Sequence, residues 1–234
     1  MKPTKLIIVI TLAALLIVNG GIAHAQESSV AERVAALKAA LATSQATLKH
    51  YEWIETTVVS LKGEEKSNKQ QRCYYGADGG LQKIEVSASP EPDKKRGVRG
   101  RIIKNKTEEL TDYMKSAVDL VKTYIPPDPA KIQAAKDAGK VTIDLLEPGK
   151  RARLNFPDYQ KPGDNLGVEV DLVKNVPLDV TVATYLDDAK DAVKMDAHMG
   201  QLNDGTVYAS DIMLDAVAKS VTVAVKNSGY RKTN

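Results

Sequence analysis

The 234-residue sequence has little of what most enzymes and disulfide-rich proteins depend on. Cys73 is the only cysteine, so no disulfide can form within the chain. Beyond residue 25 only two histidines remain, His50 and His198, and neither has a neighbour at the spacing of a metal site or an activated nucleophile. The acidic residues of 187–191 lack the spacing of a calcium-binding loop and are typical of a turn. We therefore expect a protein that is not an enzyme and has no metal or other cofactor.

Aromatic residues are also scarce, at 5% of the sequence, with one Trp and one Phe. Small aliphatic side chains must therefore fill most of any core. Cys73 falls in a predicted strand, where a buried small hydrophobic residue is the expected role, since a reactive thiol requires exposure.

The first 25 residues contain the three parts of a secretory signal. Lys2 and Lys5 form a charged start, residues 6–18 are apolar, and Ala23-His24-Ala25 offers small residues to a signal peptidase. The apolar run is shorter than the roughly 20 residues that a membrane-spanning helix needs. We expect residues 1–25 to be removed before Gln26, leaving an exported chain that does not span the membrane.

The charge balance argues against nucleic acid as a partner. Removing Lys2 and Lys5 lowers the formal net charge from +3 to +1. The basic residues concentrate in segment 94–106, which we predict to be a loop. This segment is either a solvated connection or a surface for an acidic partner protein, which would be bound by Arg96, Arg99 and Arg101.

Alternation of apolar and polar residues with period two dominates segment 166–226 and predicts strands with one buried face. Further strands are predicted at 51–61, 70–75, 81–87, 141–146, 152–156 and 167–173. The final strand of the chain is predicted to end near Tyr230. Asp78-Gly79 and Asp204-Gly205 mark hairpin turns, because these pairs tolerate the positive φ angles of tight turns.

Three helices are predicted from apolar residues at three- and four-residue spacing. The first spans 30–48, the second runs from an N-cap at Thr107 to Tyr124, and the third begins at Asp128-Pro129 and stops near Gly139. The Met- and Tyr-bearing face of the second helix either contacts a lipid chain or packs as core.

These elements predict an α+β fold in which a strongly curved antiparallel sheet, a half-barrel, wraps around two or three helices. At least eight strands must curl or close to hide the sheet edges. We expect residues 26–234 to form one such domain.

The order of elements resembles a known family. A cleaved signal, a helix, a strand beginning Tyr51-Glu52-Trp53, a meander, central helices and a second block of long strands are typical of the exported half-barrel proteins of Gram-negative bacteria. That family contains the lipoprotein carrier LolA, its receptor LolB and the regulator RseB. The resemblance implies a periplasmic, non-catalytic carrier whose apolar concavity holds a lipid, a lipoprotein or another hydrophobic ligand.

On that reading, seven residues of the predicted strands and second helix are candidates for the cavity lining, although each also suits a plain core: Trp53, Tyr113, Met114, Val118, Val182, Met195 and Met199. The alternative function is an envelope protein-interaction or stress-sensing module that uses segment 94–106.

Overall fold

The computed structural model describes residues 39–88, 97–125 and 127–233, and every structural statement below concerns those ranges. Residues 39–48 are helical and are called α1. The other elements are β1 (Tyr51–Leu61), β2 (Glu64–Tyr75), β3 (Leu81–Ala88), α2 (Gly97–Lys122), α3 (Pro129–Asp137), β4 (Thr142–Glu147), β5 (Arg151–Pro157), β6 (Asn165–Asp171), β7 (Val176–Tyr185), β8 (Ala192–Gln201), β9 (Val207–Ala216), a short 3₁₀ helix (Val217–Lys219) and β10 (Val221–Lys232).

All ten strands form one antiparallel sheet in the order β3-β2-β1-β10-β9-β8-β7-β6-β5-β4. Every pair except β1–β10 joins strands that are consecutive in the chain. The sheet is curved and unclosed, with β3 and β4 at its edges. The predicted α+β half-barrel with antiparallel pairing is confirmed.

Turn geometry follows the residues that the sequence supplies. Lys62 and Gly63, between β1 and β2, both have positive φ, at 55° and 79°. Two successive positive φ angles suit the two-residue turns whose twist matches that of antiparallel strands. β1 has the predicted bounds, while β2 extends six residues further back than predicted, to Glu64.

Cross-strand register gives the sheet two unlike faces. One row of consecutive partners is apolar: Phe156, Leu166, Val182, Met195, Leu214 and Val223. A row three residues further along each strand, and therefore on the opposite face, is mainly charged: Asp144, Arg153, Glu169, Asp179, His198, Asp211 and Lys226. We call the apolar side, which the helices cover, the inner face, and the other the outer face.

The helices α2 and α3 pack against the inner face, α2 mainly on β8 and β9 and α3 on β5. Ala117, Val121, Tyr124 and Ile132 are buried there. The predicted start of α3 is confirmed, because the Asp128 side chain accepts a hydrogen bond from the backbone nitrogen of Ala130. Within the described ranges, no helix combines the length and the apolarity that crossing a membrane requires.

The predicted start of the second helix at Thr107 is wrong. α2 begins at Gly97 and runs for 26 residues, so the part of the basic segment from 97 to 106 is helical rather than a loop. Arg and Lys are good helix formers, and a long helix tolerates Gly100 at a cost of about 1 kcal/mol. The charges and glycines concealed this first part of the helix in the sequence.

A buried polar network fixes the loop between β5 and β6 to the end of α2. The Tyr124 hydroxyl donates to Asp164 Oδ2 at 2.5 Å and lies 2.8 Å from Thr184 Oγ1. Asp164 also accepts from the backbone nitrogens of Gln160 and Lys161, both at 3.0 Å. Burial, followed by the hydrogen bond to Asp164, raises the pKa of Tyr124.

We predict that Tyr124→Phe lowers the free energy of unfolding by about 1–3 kcal/mol, because the buried Asp164 carboxylate loses a donor. Urea denaturation measures this loss. Tyr185→Phe is the matched control, since the Tyr185 hydroxyl donates to the Pro162 carbonyl at the exposed surface; it should change stability by less than about 0.5 kcal/mol. Equal losses in both variants would contradict the role given to the network.

Candidate ligand-binding face

Three of the predicted lining residues lie on α2 and face the sheet. Tyr113, Met114 and Val118 are half-buried and pack against the core. Ala117 and Val121, on the same helix, are fully or almost fully buried. One flank of the apolar stripe therefore lies at the border between the core and solvent, where a ligand has access to it.

Val182 and Met195 lie deeper. They are direct cross-strand partners on the inner face of β7 and β8, and only 2% and 6% of their surfaces are exposed. They join the three α2 residues in one core. Contact between a ligand and these two side chains stays a prediction.

Trp53 and Met199 lie outside that core. Met199 is half-buried on β8, next to a register shift that follows His198. Trp53, 9% exposed, stacks on Tyr230 with ring centroids 5.4 Å apart and donates through Nε1 to Asn227 Oδ1 at 3.1 Å. The structure thus brings five of the seven candidates together and places these two apart.

The aromatic group around Trp53 depends on two glycines. Gly229, with a φ of 64°, lies in a bulge of β10 where Gly229 and Tyr230 together face Trp53, which places Tyr230 beside the indole ring. At Gly200 an added Cβ would lie 2.8 Å from Tyr208 Cζ, so glycine leaves room for that ring, which packs on Tyr230 at 4.4 Å. Tyr208 is the direct partner of Gly200 on the next strand, whereas the contact of Tyr230 with Trp53 joins the last strand to the first and gave no signal in the sequence.

Sequence reasoning missed part of the apolar face beside α2. Ile212, Val225 and Val59, on β9, β10 and β1, are half-buried and pack against the core. Ile212 and Val225 are direct cross-strand partners. The alternation in β1 and β10 was visible in the sequence, but the pairing of these strands, which places Val59 opposite Val223 of β10, was not.

Polar groups border this surface at the α2 side. The Tyr113 hydroxyl donates to Asp191 Oδ1, and Lys219 Nζ pairs with Glu109 at 3.1 Å while lying 5.9 Å from the Tyr113 ring centre. Burial and the hydrogen bond to Asp191 raise the pKa of Tyr113. These contacts hold the Tyr113 ring in place at the edge of the apolar surface.

The inner face becomes charged toward β3. Lys83 bonds both carboxylate oxygens of Glu55, at 2.6 and 2.7 Å, and Lys69 pairs with Glu85 at 2.8 Å. Cys73, among them, is fully buried, and burial raises the pKa of its thiol. The predicted role of Cys73 as a buried small residue is confirmed, and the inner face is amphipathic as a whole.

The outer face holds a groove of about 420 Å³ whose lining includes Asp179, His198 and Met213. His198 Nδ1 lies 2.7 Å from Asp179 Oδ1, an arrangement that also occurs in hydrolase triads. The hydroxyl of Ser210 donates to the backbone carbonyl of His198 at 3.2 Å and not to the ring. Among the described residues, no three His, Cys, Asp or Glu side chains are grouped to hold a metal ion.

The structure leaves the predicted partner surface untested. Arg96 lies outside the described residues, and for Arg99 and Arg101 only the backbone, which is helical, is described. Binding of an acidic protein by these arginines stays a prediction.

Asp204, in the turn between β8 and β9, ties the start of β1 and the end of β10 to the aromatic group. Its Oδ2 accepts from the Tyr51 hydroxyl at 2.6 Å and lies 3.3 Å from Lys232 Nζ. The hydrogen bond from Tyr51, with others from Thr206 and Lys232, holds the pKa of Asp204 well below its usual range. Tyr51 in turn packs edge-on against Tyr230, at 6.3 Å between ring centres.

We predict that Asp204→Asn lowers the urea midpoint at neutral pH and makes it less dependent on pH. A carboxyl whose pKa is depressed in the folded state stabilises that state above its unfolded pKa of about 4, and this stabilisation is lost as pH falls below that value. Trp53 emission follows the unfolding. Asp112→Asn, on the exposed side of α2, is the control; parallel pH curves for wild type and Asp204→Asn would contradict the prediction.

Comparison with known proteins gives distant likenesses. No protein-family model and no curated protein matches the sequence. Among solved structures, a DUF1329 family protein from Desulfovibrio piger aligns at 9% identity and a TM-score of 0.34, covering 85% of this chain and 92% of that one. A LolA superfamily protein from Nitrosomonas europaea aligns at 8% identity and a TM-score of 0.35, covering 85% of this chain and 94% of that one. Both TM-scores lie below 0.5, which is too low to support a functional comparison.

Proposed function

We propose that the chain is a periplasmic, non-catalytic binding protein that holds the apolar part of a lipid, a lipoprotein or another amphiphile on its inner face. Residues 1–25 act as the cleaved signal, and residues 26–234 form the binding domain. The signal lies outside the described residues, so its support is the sequence pattern alone.

One observation carries the proposal: an apolar surface at the border of the core that is only half covered. Its members come from α2, β9, β10 and β1, namely Tyr113, Met114, Val118, Ile212, Val225 and Val59. Contiguous exposed apolar surface on a soluble protein commonly marks a binding site. Covering it with an acyl chain would contribute roughly 0.8 kcal/mol for each buried methylene.

The charged part of the inner face suits the other end of such a ligand. The two ion pairs of this part, Glu55–Lys83 and Lys69–Glu85, extend from β1 to β3, and β1 also carries Val59. A molecule lying across β10 and β1 therefore meets apolar side chains first and ion pairs next. This order favours an amphiphile over a purely apolar ligand. Trp53 and Met199 would line the far end of the same face.

The absence of catalysis is part of the proposal. The Asp179–His198 pair is the arrangement most similar to a catalytic one, and it lies on the outer face, opposite to the apolar surface. A ligand on the inner face is separated from that pair by the sheet itself. We therefore assign no reaction to the bound ligand.

We predict that affinity for saturated fatty acids rises about fourfold for each added methylene until the chain outgrows the surface, because 0.8 kcal/mol corresponds to about that factor. Displacement of a fluorescent fatty acid from the purified mature chain measures the series. Affinity that does not vary with chain length, or no displacement at all, would refute an apolar binding surface.

Val225→Asp tests the position of the surface. A carboxylate among Ile212, Val59 and the acyl chain would lack partners, so we expect at least a tenfold loss of fatty-acid affinity. Val173→Asp is the matched control, since Val173 lies in the turn after β6 and is 68% exposed. Circular dichroism checks that both variants fold. Equal affinity in the two variants would place the ligand elsewhere.

A further inference from the structure

The edge strand β3 exposes an unusual amount of apolar surface. All eight of its residues are exposed, among them Leu81, Ile84 and Val86 at 45%, 44% and 59%. In the described part of the chain, β3 has a strand partner on one side, β2. The edge of β3 that points away from β2 therefore presents backbone donors and acceptors, and apolar side chains lie beside them. Another strand can pair with such an edge.

The strand has only some of the features that normally protect an edge. Leu81–Ala88 contains no proline and a single lysine, Lys83. A bulge places Val86 between the partners of Gln70 and Gln71, so regular pairing with β2 is confined mainly to residues 81–85. A strand added at this edge would pair most regularly along that stretch.

The charges on β3 are complementary to a second copy of the same strand. In an antiparallel pair centred on Ile84, Ile84 faces Ile84 of the second copy, and Lys83 faces Glu85 of the second copy in both directions. Opposite charges in facing positions stabilise a pair, and β-branched side chains facing each other do so as well. We propose that two copies of this chain associate through β3 in that register, which joins their sheets.

The ion pairs already present on each chain agree with this register. Lys83 pairs with Glu55 and Glu85 pairs with Lys69 on the inner face. Association adds Glu85 of the second copy next to Lys83, and Lys83 of the second copy next to Glu85. Each charge then has the opposite sign on both sides, and no two like charges face each other directly.

The other edge does not offer the same complementarity. β4 exposes Leu145 at 65% and Leu146 at 41%, and its only charged residues, Asp144 and Glu147, are both acidic. Two β4 strands would therefore gain no opposite-charge pair. This contrast makes β4 the matched control for β3.

Sedimentation velocity over a concentration series tests the proposal. We expect the mature chain to dimerise reversibly, with a dissociation constant in roughly the micromolar range, since one strand pair buries a small interface. Ile84→Lys places two like charges face to face and should give a monomer at every concentration. Leu145→Lys, the same change at an exposed position on the opposite edge, should leave the dimer intact. Circular dichroism checks the fold of both variants.

Disulfide trapping tests the register. Ile84→Cys should form a covalent dimer on mild oxidation, because the introduced thiol of one chain faces the introduced thiol of the second chain. The native Cys73 is buried and should not compete. Leu145→Cys should remain monomeric under the same conditions. A wild-type chain that stays monomeric, a dimer that Ile84→Lys leaves intact, or a dimer that Ile84→Cys does not trap would each overturn the proposal.

Discussion

The pairing of β1 with β10 is the interaction on which the rest of the structure depends. All other strand pairs join consecutive elements, so without this one the β1–β3 meander would be separate from the seven strands that follow. The pair extends from Tyr51, opposite Lys232, to Leu61, opposite Val221. Closing a loop of this length costs conformational entropy that only the full ladder and its side-chain contacts offset. Such non-local pairing is typical of slowly folding sheets.

The two faces of the sheet follow from one property of the sequence, its period-two alternation. The same strand places Val182 under the helices and Asp179 at the outer surface. Because the helices contact β5, β8 and β9 most closely, the core is deepest there, and its apolar surface thins toward β10 and β1. Within the described ranges, the half-covered surface lies beside the strands that α2 and α3 contact least.

Local signals in the sequence predicted most of the elements. The bounds of β1, the Asp128 cap of α3 and the apolar phase of β7 and β8 were all available from neighbouring residues. The start of α2 was missed, because Gly97, Gly100 and closely spaced charges resemble a loop. The stacking of Trp53 on Tyr230 and the surface shared by Ile212, Val225 and Val59 could not be predicted. Each requires knowing that the first strand pairs with the last.

The dependence of the fold on the β1–β10 pairing connects ligand binding with folding. A ligand lying across β9, β10 and β1 would touch side chains from both sides of the β1–β10 junction, so its binding energy would add to the pairing itself. Any molecule that binds the folded state alone raises the apparent stability in proportion to the logarithm of its concentration above the dissociation constant. The aromatic group and Asp204 hold one end of this junction without a ligand, through Tyr51 and Lys232. The other end, near Val59, has aliphatic pairs such as Leu61 with Val221 and no aromatic ring contact among the described residues, and a bound acyl chain would stabilise the sheet most at that end.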